Sequence, residues 1–79
     1  MGVEAPREKW SQDVYSSSVS SVEYDPNTQD LFVTFQKNGA RYVYKNVPED
    51  KARELANAPS VGSMLRSDIQ TNYSYFRVN

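Results

Sequence analysis

The stretch Leu31-Phe32-Val33-Thr34-Phe35-Gln36-Lys37-Asn38-Gly39-Ala40-Arg41-Tyr42-Val43-Tyr44 decides the fold. Leu31, Val33 and Phe35 recur every second residue, the period of a strand with one face buried, so they are assigned to the core. Asn38-Gly39 lies between two strand-like runs. It is a strong hairpin signal, because both residues tolerate positive φ. Arg41 to Lys45 is then the return strand. Tyr42 and Tyr44 share one face, and Arg41, Val43 and Lys45 the other. Two charges on that second face predict that it is wet.

Working toward the N-terminus, Asp25-Pro26-Asn27-Thr28-Gln29-Asp30 is turn chemistry. Before it, Val22 and Tyr24 alternate as in a half-buried strand. Val19 is out of phase with them, which predicts a bulge or a strand start near Ser20. The serines among residues 16–21 are poor core material. They read as an edge strand or loop, or as a hydroxyl-lined contact surface. Residues 1–13 are polar and are expected to form a loose arm ahead of a domain over residues 14–79. Trp10 has two open readings: a ring folded back onto the domain edge, or an anchor in a partner's pocket.

Toward the C-terminus, Val47-Pro48-Glu49-Asp50 opens a helix, with proline at its start and acids at the positive end of its dipole. Ala52, Leu55 and Ala56 form its apolar stripe. Glu49 and Asp50 are positioned to pair with Arg53 on its surface. Asn57-Ala58-Pro59 stops it. Ser60 is placed to cap a second helix whose buried face is Val61, Met64, Leu65 and Ile69. Gly62 in its first turn permits a close backbone approach. Asn72 ends this helix, and Tyr73 to Val78 is a last strand or extended tail. Tyr73, Tyr75 and Arg77 lie on one side of it. The expected architecture is α+β: a small antiparallel sheet of three to four strands with two helices packed on one face.

With 79 residues the chain is one domain at most, burying roughly 60–65% of its unfolded surface. It contains neither cysteine nor histidine, which removes disulfides, thiolate metal sites and the commonest general base. Nine Lys and Arg stand against ten Asp and Glu, a net charge of −1, so any nucleic-acid site must be a local patch. No apolar run approaches the ~20 residues of a membrane span, and Met1 to Ser11 lacks the layout of a secretory signal. A soluble, cytoplasmic protein is expected, or a virion-associated one if its source is a phage.

Catalysis needs an activated nucleophile, a tuned acid or base, or a metal. The serines have no histidine partner, and three glycines form no phosphate loop. Asp25 and Asp30 flank one turn, but two carboxylates alone read as turn stabilisation rather than a cation site. No enzyme, cofactor, metal or small-molecule substrate is expected. The remaining signal is aromatic and basic. Tyr42, Tyr44, Tyr73 and Tyr75 form two Tyr-x-Tyr pairs, with Lys37, Arg41, Lys45, Arg66 and Arg77 close in sequence. Such residues stack and steer single-stranded RNA. They are also enriched at protein interfaces, and equally they fill the core of a small sheet.

Several of these residues resemble a known family. Val19 through Tyr24-Asp25, Leu31-Phe32-Val33-x-Phe35, Asn38-Gly39, Tyr42-Val43-Tyr44, Asn46-Val47-Pro48, Ala58-Pro59-Ser60-x-Gly62, Ile69 and Tyr73 look like the KTSC domain. That family is named for a segment at the C-terminus of some lysyl-tRNA synthetases. It also occurs as stand-alone bacterial and phage proteins. The resemblance implies a compact sheet with packed helices, no known catalytic residue, and RNA as a suggested ligand. Tyr42 and Tyr44 are the family's most recognisable residues. Two functions stay open: an RNA-binding module, or a protein-interaction module docking on a larger assembly or host factor. The expected binding residues are Arg41, Tyr42, Tyr44, Lys45, Tyr73, Tyr75, Arg77 and Trp10.

Overall fold

The computed structural model describes residues 7–79. Five strands form one antiparallel meander: β1 Trp10–Asp13, β2 Val19–Asp25, β3 Asp30–Phe35, β4 Arg41–Tyr44 and β5 Tyr75–Arg77. Between β4 and β5 the chain builds two helical segments. Helix α1 is Glu49–Ala56. Helix α2, residues 61–72, is an α-turn Val61–Met64, a π-helical stretch Leu65–Ile69 and a closing turn Gln70–Asn72.

Register fixes which side chains meet the helices. Leu31 lies opposite Tyr44 and Tyr24, and Val33 opposite Tyr42 and Val22. Side chains alternate across a strand, so these residues share one face. Val22, Tyr24, Leu31, Val33 and Tyr44 are buried there with Ala52, Leu55, Leu65 and Ile69 of the helices. Burying each large aliphatic side chain stabilises the fold by about 1.5–3 kcal/mol. The Tyr24 hydroxyl enters this core and donates to the Val47 carbonyl at 2.5 Å. Burial raises its pKa, and the nearby Glu49 carboxylate adds to the effect.

The predicted irregularity near Ser20 is present. Pairing of β2 with β3 shifts between Val19 and Ser21, which brings Val19 into the core despite its sequence phase. Helix α1 starts one residue after Pro48, which takes the cap position, and Asn57 closes its other end. Ser60 sits at the cap of α2, but its hydroxyl makes no capping bond.

The structure corrects the expectation in four places. The sheet has five strands, because the chain ends outside the central hairpins also pair. Of the arm expected over residues 1–13, residues 1–6 lie outside the described residues, but Trp10–Asp13 is strand β1, paired with Tyr24 to Ser21 of β2. Its composition is polar because only Trp10 and Gln12 face inward on an edge strand. The hairpin after Phe35 is a four-residue loop, with Gly39 N–H donating to the Phe35 carbonyl at 3.1 Å. Within this loop only Gly39 carries positive φ (67°), and the Asn38 side chain instead accepts from Ala40 N–H at 3.0 Å. Finally, the face of Arg41, Val43 and Lys45 is open, but Val43 is buried. It lies between Phe32 and Phe76 in register, and Arg41 covers the Phe32 ring at 4.4 Å.

Candidate binding cleft

The expected binding residues separate onto three parts of the molecule. Arg41 and Lys45 alternate with Tyr42 and Tyr44 and therefore point away from the helices. Each is held by an acid on that open face: Arg41 by Glu23 at 2.7 Å, and Lys45 by Asp30 at 2.6 Å. Asp25, also on this face, is occupied locally. Desolvation raises its pKa, but hydrogen bonds from the Asn27 backbone and side chain, with Lys9 nearby, outweigh that and leave it below the usual value. Four carboxylates (Asp13, Glu23, Asp25 and Asp30) make the open face a poor surface for phosphates.

Trp10 adopts the folded-back alternative. Its ring centroid is 5.7 Å from that of Tyr24, the Arg53 guanidinium lies over it at 4.6 Å, and its indole N–H donates to Glu49 at 3.1 Å. The ring fastens β1 to helix α1.

The tyrosines do converge, on the helix side of the sheet. Tyr44 is fully buried and Tyr73 half-buried against the core. Tyr42 and Tyr75 reach a cleft of about 450 Å³ at the edge of the helix layer. Phe35 meets Tyr42 edge-on at 5.6 Å, Tyr42 lies 6.1 Å from Tyr75, and Tyr75 stacks on Tyr44 at 5.1 Å. Arg77 is opposite Tyr42 in register, with its side chain donating to the Asn79 carbonyl at 3.0 Å. Burial pushes the Tyr44 hydroxyl up to about 12. The Gln70 side chain opposes that shift from the cleft, without completing a hydrogen bond, while Tyr75 and Tyr42 reinforce it.

Three other segments complete the walls. The β3–β4 loop supplies Lys37 and Asn38, helix α2 supplies Arg66 and Gln70, and the serine loop supplies Ser17 and Ser18. Among the described residues, neither Lys37 nor Arg66 has an ion-pair partner, and no carboxylate lines the cleft. The cleft is therefore a positive site on a slightly acidic protein. Arg66 leaves α2 within its π-helical stretch and Gln70 directly after it, and such a distortion is frequent at functional sites. The Thr71 hydroxyl donates to the Arg66 carbonyl across this widened turn at 3.2 Å.

The serine loop is shaped by its own side chains. Ser16 Oγ accepts from the backbone N–H of Ser18 at 3.2 Å and of Val19 at 3.3 Å. This holds Ser18 against helix α2, where Gly62 makes room for it. A Cβ on Gly62 would come within 2.4 Å of Ser18 Oγ and 3.7 Å of Arg66 Nη2. The close approach predicted from Gly62 is therefore real. Sequence reasoning marked Lys37, Arg66 and the serines as nearby or polar, but their shared cleft has no local signal. Only the packing of α2 beside the β3–β4 hairpin creates it.

The family model of the KTSC domain matches residues 15–78. The chain belongs to the KTSC domain family. The KTSC match spans every element except β1. The chain is 37% identical over 65 residues to an uncharacterised protein of Stutzerimonas stutzeri, covering 81% of this chain and 90% of that one. Its fold is similar to the crystal structure of a KTSC domain protein from Yersinia pestis. That similarity has a TM-score of 0.81 at 28% identity, over 91% of this chain and all of the other. Among the described residues of this KTSC domain, no helix is long and apolar enough to cross a membrane.

Proposed function

We propose that the protein is a non-catalytic binding module that takes single-stranded RNA at the cleft of Tyr42, Tyr75, Lys37 and Arg66. The observation that carries this reading is the pairing of exposed aromatic surface with two cations that no acid neutralises. Base-on-aromatic stacking contributes about 1–3 kcal/mol per base, and unpaired cations add salt-dependent phosphate attraction. On this reading the protein works in the cytoplasm and performs no chemistry, since a chain without histidine or cysteine has few routes to an activated nucleophile.

The test is fluorescence anisotropy of a labelled single-stranded RNA titrated at two salt concentrations. Binding that weakens steeply with salt and drops in Lys37→Ala/Arg66→Ala supports the proposal. Equal affinity for wild type and the double variant removes the cleft as the site.

A second reading has its own observation. Phe76 and Val78 are exposed at 56% and 40%, continuing the row of Phe32 and Val43 on the open face. A protein partner would dock there. Phe76→Ser abolishing a partner's capture while leaving RNA affinity intact would favour it.

A further inference from the structure

We propose that the cleft is a one-nucleotide site, holding a nucleotide's phosphate between Arg66 and Lys37 and its base against Tyr42 and Tyr75. This deepens the RNA reading and rests on it for the macromolecular source of the ligand. Three features of the cleft carry it. The first is size. About 450 Å³ lies toward the lower end of the ~300–1,000 Å³ typical of small-molecule sites, room for one nucleotide unit and not for a run of bases. The second is the separation of chemistry within that space. Cations come from the loop and from α2, whereas the aromatic surface comes from the sheet. A ligand that satisfies both walls must carry a negative group and a flat ring on one short frame. Arg66 presents a planar fork suited to phosphate oxygens, and Lys37 a compact point charge. Ser18 Oγ and Arg66 Nη2 both lie within 4 Å of one point, the position a Cβ would take on Gly62. The hydroxyl and the guanidinium therefore stand at the same end of the cleft, the hydroxyl also within 3.4 Å of Ser16 Oγ.

The third feature is the pair of amides, Asn38 and Gln70. Each amide side chain offers a donor and an acceptor together. Base edges present the same pairing, which a bare phosphate or a phosphorylated phenol ring lacks. The Asn38 carbonyl oxygen is already engaged by Ala40 N–H, so this residue offers its NH2. Gln70 has both groups available and acts on the buried Tyr44 hydroxyl, which has no hydrogen-bond partner among the described residues. Seating a base beside Gln70 would reorganise this small polar network at the cleft wall.

The experiment is a nuclear magnetic resonance titration of the full chain with uridine monophosphate, uridine, inorganic phosphate and a short single-stranded RNA. Lys37→Ala/Arg66→Ala and Gln70→Ala accompany the wild type. Lys37 and Arg66 are exposed and unpaired, so the double variant keeps its fold, which its amide spectrum verifies. The nucleotide is expected to shift the Ser18, Gly62 and Gln70 amides saturably. Uridine and inorganic phosphate should each bind at least ~10-fold more weakly, as should the nucleotide to the double variant. Equal binding of nucleotide and nucleoside overturns the proposal, as does a double variant with wild-type affinity. RNA that binds elsewhere, neither displaced by the nucleotide nor weakened in the double variant, overturns the one-nucleotide site and leaves RNA binding standing. Saturable nucleotide binding without RNA binding supports the site and removes the RNA reading.

Discussion

Replacing Trp10 by alanine tests whether the first strand belongs to the domain. A fully buried aromatic truncated to alanine costs about 3–5 kcal/mol, and Trp10 is only half-buried, so burial alone is worth about 2 kcal/mol. Its tilted contact with Tyr24 at 5.7 Å adds about 0.5 kcal/mol, and the largely exposed Arg53 over its face a similar amount. The expected loss is about 2–3 kcal/mol. In a domain of this size each kcal/mol lowers Tm by about 4–8 °C, so Trp10→Ala should melt roughly 10–20 °C lower. Thermal melts followed by circular dichroism measure this directly. Trp10→Phe keeps the ring but loses the N–H donated to Glu49, and should recover more than half of the loss. A melt for Trp10→Ala within about 2 °C of wild type would refute the reasoning. The ring would then contribute nothing in cis, and the folded-back alternative would fail.

Three further outcomes follow from the geometry. Gly62→Ala places a methyl 2.4 Å from Ser18 Oγ and should destabilise by about 1 kcal/mol; in a Ser18→Ala background the same change should become neutral or favourable, since alanine is the better helix former. Additive effects in that denaturant double-mutant cycle would refute the clash. Tyr44 ionises at about 12 when folded and 10.0 when unfolded, so stability is intact below the unfolded value and is lost as pH rises from 10 toward 12. Tyr44→Phe should cost little at neutral pH and flatten that alkaline loss in pH-dependent urea melts; superimposable curves would count against a buried, raised hydroxyl. Arg41→Ala removes a partly exposed ion pair with Glu23 and the guanidinium over the Phe32 ring, so it should cost about 1–2 kcal/mol and leave RNA affinity unchanged. An affinity drop in anisotropy as large as that of Lys37→Ala/Arg66→Ala would move the site to the open face.

The period-two runs in β2 to β4 and the punctuation around the helices were legible without a structure, because each is a local pattern with a local cause. Leu31, Val33 and Val22 declare their common face by alternation alone. Val47-Pro48 and Asn57-Ala58-Pro59 bracket α1 through backbone restrictions that act within a few residues. Even the bulge at Ser20 shows as a phase error between Val19 and Val22. Strand β1 did not show, because an edge strand with one inward ring has almost no apolar period.

Side-chain direction was also legible: Tyr42 and Tyr44 were assigned to one face, and Arg41 and Lys45 to the other. The two charges of the Arg41 and Lys45 face also marked it as the wet one. What the sequence left open was which tyrosines of the covered face are sealed in and which reach solvent. Tertiary packing decided that, burying Tyr44, leaving Tyr42 at a cleft edge, and pairing Arg41 and Lys45 with acids on the far side. It also brought Lys37, Arg66 and Ser18 together from three separate segments. Sequence determined the elements and their faces because those depend on neighbours a few residues apart. The charge of the cleft depends on residues tens of positions apart, and only the packed chain sets that distance.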